Sequence, residues 1–168
     1  MNKKNGFTLI ELMAVIVIMG VLAAVGIPKL FGVTAKAKAA EVPTAAGTYV
    51  HLQEAHLHSN HVVGTWQDIG YKAPGNGQTN NFLYSDCIQQ ATTIQSGAES
   101  FMGWQASNIY KLNDCSVRSS WGVFLDPIGE QEAKYRQVTS SAECAALTSN
   151  WAVENIDASA CNAASNGN

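Results

Sequence analysis

Lys3-Lys4-Asn5-Gly6-Phe7-Thr8-Leu9-Ile10-Glu11-Leu12-Met13, continuing through Ala14-Val15-Ile16-Val17-Ile18-Met19-Gly20-Val21-Leu22-Ala23-Ala24-Val25-Gly26-Ile27 to Pro28 and Lys29, decides how this chain is organised. Between Lys4 and Lys29 the only ionisable side chain is Glu11. The 21 residues from Phe7 to Ile27 match the roughly 20 that a helix needs to cross the hydrocarbon of a bilayer. Lys3 and Lys4 on the short side set the orientation, with the N-terminus inside and the larger C-terminal part translocated. An ordinary secretory signal carries an Ala-x-Ala-like site after its apolar stretch, and Ala-Val-Gly-Ile-Pro-Lys fits that pattern poorly, so the segment is expected to be retained.

Working outward, residues 29–60 change to an amphipathic pattern. Val42, Ala45 or Ala46, Tyr49 and Leu52 recur at helical spacing, and Lys36, Lys38, Glu41, Gln53 and Glu54 fill polar positions. One long helix is the simplest reading, with its first half in lipid and its second half under a head. Gly20, Gly26, Pro28 and Pro43 are where it is expected to bend, since glycine is costly in a helix interior and proline removes a donor. From residue 61 onward the composition turns to Gly, Asn, Ser and Thr with scattered aromatics. Gly70 to Asn81 reads as a loop, and strand-like runs follow at Asn81–Ile88, Ser100–Ala106, Ser120–Leu125 and Lys134–Val138. Asp126-Pro-Ile-Gly129 reads as a turn.

Of 168 residues, a membrane helix leaves roughly 110 to 130 for a single water-soluble core. Charged residues make up only 14%, and the apolar stretch accounts for much of that shortfall. The formal charge is −3, and losing Lys3 and Lys4 takes the side chains to −5. Without a run of Lys or Arg, nothing electrostatic calls for nucleic-acid binding. Cys87, Cys115, Cys144 and Cys161 form an even set with no C-x-x-C pair, which in a translocated head suggests two disulfides. Three pairings are open; Cys87 with Cys115 and Cys144 with Cys161 is favoured, because neighbours in sequence meet easily in a small fold.

A carboxylate four residues into an apolar helix needs a partner, because placing it in the bilayer costs about 2.5 to 3.5 kcal/mol on insertion scales. Cleavage between Gly6 and Phe7 would create one: a new α-amine, cationic near neutral pH. Within one helix the amine and Glu11 compete with backbone groups, whereas between staggered subunits they meet and set an axial register.

The run Lys-Lys-Asn-Gly followed by Phe7-Thr-Leu-Ile-Glu-Leu-Met resembles the class III signal of type IV pilins and of their relatives, the type II secretion pseudopilins. The resemblance covers about Lys3 to Pro28. It implies a leader of residues 1–6, a transmembrane and polymerisation helix over 7–28, the amphipathic half of the same helix over 29–60 and a globular head over 61–168. It also implies cutting after Gly6 by a prepilin peptidase, N-methylation of Phe7, and a docking role for Glu11. Gly20 and Pro28 lie where helices of this family melt or bend in the fibre. The implied fold is α+β: a long N-terminal helix on a small antiparallel sheet with a disulfide-bound C-terminal loop. The implied partners are further copies of the chain in a helical homopolymer, the peptidase and pilus assembly machinery, first in the inner membrane and then on the cell surface, for adhesion, motility or related work. Two rival readings are a pseudopilin and a monomeric membrane-anchored binding protein.

Other signals are weaker. His51, His58 and His61 share a helix face, with His56 nearby, but no Glu or Cys completes a metal-binding pattern, and a solvated His-rich helix end accounts for them; no metal or other cofactor is expected. The aromatics Trp66, Tyr71, Phe82, Tyr84, Phe101, Trp104, Tyr110, Trp121, Phe124, Tyr135 and Trp151 are expected to fill the space between sheet and helix rather than form a sugar-stacking face. No nucleophile elbow, zinc-protease motif, phosphate loop or calcium loop occurs, so no catalytic residue is named and the chain is read as not an enzyme.

Overall fold

Thr8, in extended backbone, caps the first helix, and the computed structural model, which describes residues 6–156 and 161–163, follows that helix without interruption as α1 from Leu9–Ala39. A second helix, α2, continues over Glu41–Asn60. α1 remains α-helical through Gly20, Gly26 and Pro28. The helical assignment breaks at Ala40, and Pro43 explains the place: proline has no N–H to give the carbonyl four residues back, which is that of Ala39. His61, in the left-handed conformation, ends α2, its N–H bonding the carbonyl of Leu57.

The buried residues of the two helices, Ala35, Ala39, Val42, Ala45, Ala46, Tyr49, Gln53 and Leu57, recur every three or four positions. Gln53 corrects the sequence reading, which put it on the polar face. It is fully buried because its amide, turned to satisfy both ends, donates to the carbonyl of Gly64 at 3.2 Å and accepts from the N–H of Gly64 at 2.9 Å. A buried amide with both partners costs little, and this one pins the chain leaving α2 back onto the helix.

Among the described residues six strands form one sheet in the order β5-β4-β3-β2-β1-β6. They are β1 (Phe82–Asp86), β2 (Phe101–Asn108), β3 (Ser120–Pro127), β4 (Ala133–Thr139), β5 (Ala152–Val153) and β6 (Asn162–Ala163). The four longer strands match the runs read from the sequence and are antiparallel; β5 is parallel to β4 and β6 antiparallel to β1. Asp126 and Pro127 extend β3, pairing with Lys134 and Ala133, so the turn expected at 126–129 begins two residues later. A short helix, α3 (Ala142–Ala145), follows β4, capped by Ser141. Within the expected loop Gly70 to Asn81, Pro74–Gly77 makes a 3-10 turn whose Gly75 and Asn76 take positive φ.

Side chains alternate across the pleat. Phe82, Tyr84, Trp104, Trp121 and Val123 join α2 and Tyr71 in the main core. Tyr71 organises its polar side: its hydroxyl donates to the carbonyl of Ala45 at 3.2 Å and accepts from the Trp104 indole at 3.0 Å. Glu41, the first residue of α2, accepts at one carboxylate oxygen from Thr79 at 2.6 Å and from Tyr84 at 3.0 Å, which fixes the start of that helix to β1 and the preceding loop. Most of the aromatics are thus buried or half-buried, as expected; Tyr110 is the exception at 66% exposed.

Gly103 stands at the irregularity in β2, between Met102 and Trp104, where the register against β3 shifts. A Cβ there would overlap the Tyr49 hydroxyl and a methyl of Leu125. Gly103→Ala is therefore expected to destabilise the head by about 1–3 kcal/mol through overpacking. The Tyr49 hydroxyl is buried without a hydrogen-bond partner, so Tyr49→Phe alone should be close to neutral and, combined with Gly103→Ala, should recover part of the loss. Urea unfolding of the four proteins of this cycle measures the coupling; strict additivity would contradict the packing described.

The two disulfides join Cys87 to Cys161 and Cys115 to Cys144. This differs from the favoured pairing of sequence neighbours, and the topology supplies the reason. β2, β3 and β4 run antiparallel, so the β2–β3 connection holding Cys115 and the segment after β4 holding Cys144 lie at the same end of the sheet. Cys87 follows β1 and Cys161 precedes β6, its antiparallel neighbour, so these two meet at the other end.

On the face of the sheet turned away from α2, the guanidinium of Arg136 lies 5.2 Å from the Phe124 ring and donates to Asp126 at 3.1 Å and to Glu154. The Arg136 hydrogen bond holds the Asp126 carboxyl below its ordinary 3.8, so its contribution to stability is complete above about pH 3.8 and fades as the pH falls through the lower native value. Asp86, whose carboxyl burial pushes up, acts in the opposite direction. Comparison of the native chain with Asp126→Asn isolates the first effect: the native protein should lose more of its urea midpoint between pH 5 and pH 3 than the variant, and equal losses would contradict it.

Candidate assembly helix

Phe7 lies just outside the helix and is 85% exposed, and every large apolar residue from Leu9 to Val33 is exposed as well. A surface of this size and continuity has to be covered by lipid or protein. By length and composition the helix is able to cross a membrane, and none of its most apolar window is buried against the head. The head begins to cover it at Ala35, the first buried residue of α1.

At the N-terminal end Thr8 and Glu11 make a reciprocal capping box. The Glu11 carboxylate accepts from the Thr8 N–H at 2.8 Å and from its hydroxyl at 2.7 Å, and the Glu11 N–H reaches the Thr8 hydroxyl at 3.4 Å. The acid thus has an internal use that the sequence reading did not anticipate: it caps the helix start while exposed along an apolar segment. Gly6 and Phe7 precede the cap, exposed and outside any regular element; the rest of the expected leader, 1–5, lies outside the described residues.

The histidines do not converge. His56 pairs with Asn60 through Nδ1 at 3.1 Å, while His51, His58 and His61 are exposed. Among the described residues no three His, Cys, Asp or Glu side chains come together to hold a metal ion.

A family model of the prokaryotic N-terminal methylation motif matches residues 1–27. The chain carries the class III signal peptide of the type IV prepilins. The long helix, the mostly antiparallel sheet and the two disulfides make an α+β fold behind that signal. The prepilin signal implies processing by a prepilin peptidase and handling by an assembly machinery, and together with the apolar helix it fits a membrane-anchored precursor. No solved structure matches this chain.

Proposed function

We propose that this chain is the structural subunit of a type IV pilus, polymerising through α1 after removal of residues 1–6. The observation that carries the reading is a continuous exposed apolar helix joined to a folded head, with one carboxylate near its start. Residues 7–28 span the inner membrane before assembly and form the fibre core afterwards, residues 29–60 carry the head, and residues 61–168 form the head itself, displayed outside the cell for adhesion, motility or related work. The peptidase cuts between Gly6 and Phe7 and methylates the Phe7 amine, which pairs with Glu11 of a neighbouring subunit. Gly20 and Pro28, the residues least suited to a straight helix, are where α1 bends in the fibre.

Burial of apolar surface between identical helices supplies cohesion at about 25 cal/mol per Å². The amine and carboxylate pair supplies register more than net energy, because desolvation cancels much of a buried ion pair. The mass of the chain from sheared surface fibres, intact and reduced, tests the reading. Loss of the first six residues, one added methyl group and a gain of four hydrogens on reduction are expected; a chain that keeps its leader overturns it. Pseudopilins share the signal, so the phenotype of a deletion separates the two roles. Failed secretion with surface fibres intact would assign the chain to a secretion system instead.

A further inference from the structure

Lysine is the only charge on the described chain between Glu11 and Glu41, at positions 29, 36 and 38 of α1. A groove where α1 meets the β2–β3 connection is lined by Phe31, Lys38 and Lys111, with no carboxylate among its lining residues. Among the described residues the only ion pairs within 4 Å are those of Arg136, so all four lysines lack an acidic partner. Apolar side chains alternate with them: Leu30, Phe31 and Val33 are each about 60% exposed, and Tyr110 stands beside Lys111. Two carboxylates, Asp114 and Glu143, belong to this end of the head without reaching a lysine. At the opposite end, Glu130 and Glu132 on the β3–β4 turn lie beside His58 of α2. The head therefore has a basic foot and an acidic top.

With Phe7 to Ile27 spanning the roughly 30 Å of hydrocarbon, Lys29 sits at the outer edge, and Val33 and Lys38 lie about 6 and 14 Å above Lys29. Helical side chains tilt toward the N-terminus, here toward the membrane, so the lysine stems reach back into a headgroup layer about 5–8 Å thick. Basic side chains interleaved with exposed apolar and aromatic ones are what a lipid interface takes, ammonium to phosphate and ring to the acyl boundary.

From this we infer that the foot of the head, formed by Lys29, Phe31, Lys36 and Lys38 of α1 with Tyr110 and Lys111 of the β2–β3 connection, docks on anionic phospholipid headgroups of the outer leaflet while the subunit is still in the membrane. The inference rests on the membrane-spanning reading above. The docked foot sets the depth and tilt at which the subunit waits, and the lysines are freed when it is withdrawn from lipid. A lysine near an anionic surface favours the docked position about fivefold, so several together dominate it.

The full chain in nanodiscs of phosphatidylcholine, with or without phosphatidylglycerol, provides the test. Incorporation into phosphatidylcholine alone tests the spanning reading by itself, and failure there overturns both. Amide hydrogen exchange over residues 109–118 then reports docking, compared between the native chain and a Lys29→Gln, Lys36→Gln, Lys38→Gln variant whose changes lie outside the reporting segment. About tenfold slower exchange with phosphatidylglycerol is expected in the native chain, reduced by raised salt and nearly absent in the variant. Equal exchange in the two lipids overturns the inference, as does slowing that persists in the variant. Lipid-independent exchange together with fibre loss in the variant would assign the lysines to contacts between subunits instead.

Discussion

Cells expressing Glu11→Ala are expected to cleave the leader and keep the chain in the inner membrane, yet to release no shearable fibres. Before assembly the carboxylate is satisfied within its own chain by the N–H and hydroxyl of Thr8, so a subunit in the membrane does not depend on a neighbour. In the fibre proposed above, the free amine of Phe7 is buried in the core, and the acid of an adjacent copy is its counter-charge. Removing one partner of a buried pair costs about 3–5 kcal/mol, because the other charge is left uncompensated. At 1.4 kcal/mol per factor of ten, even the lower value weakens each subunit addition more than a hundredfold. Glu11→Gln separates the two roles of the residue. Glutamine still closes a capping box but carries no charge. It should therefore preserve the helix start and still abolish fibres, as seen by shearing and electron microscopy. Normal fibres from Glu11→Gln would show that the cap alone suffices and that charge pairing does not set the register.

The parts of the fold legible in the sequence are those that a local period specifies. The apolar run before Pro28 and the three-and-four spacing from Val42 to Leu52 repeat over enough residues to identify an element, and the four longer strands are read from runs that alternate only weakly. Pro43 marked a break in the helix that the structure places three residues earlier, at Ala40, because the missing bond belongs to the carbonyl four residues back. Glu11 was legible as an anomaly, a charge in an oily segment. Its partner Thr8 is plain only in retrospect, although Thr-x-x-Glu before an apolar run is a capping signature. What escaped was set by contacts distant in sequence. Gln53 is polar by composition and buried by its pairing with the backbone of Gly64. β5 and β6, two residues each, have no period to read. The disulfide pairing depends on which strand ends share an end of the sheet, and proximity along the chain is a poor guide to that.

Removal of either disulfide, Cys115→Ala with Cys144→Ala or Cys87→Ala with Cys161→Ala, should cost the head a large part of its stability, but in different ways. In the chain-entropy model, bridging residues separated by 29 positions is worth about 3.6 kcal/mol and bridging residues separated by 74 about 4.5. Against a typical total of about 5–15 kcal/mol, either loss is severe. Cys115 and Cys144 belong to the main core with Trp121, so their loss loosens the β2–β3 connection and α3 over the whole aromatic cluster. Cys87 and Cys161 lie on the outer face beside Ile156, Met102 and Val138, where the chain passes from β5 at one edge of the sheet to β6 at the other. β6 is two residues long and does not hold its place on β1 without the cross-link. Releasing it uncovers the edge of β1, a template for pairing with another chain. Urea unfolding followed by tryptophan fluorescence should show a lowered midpoint for both variants, and only the Cys87 and Cys161 variant should also aggregate under native conditions. A midpoint unchanged by either pair, or peptide masses joining Cys87 to Cys115, would contradict the topology from which these expectations derive.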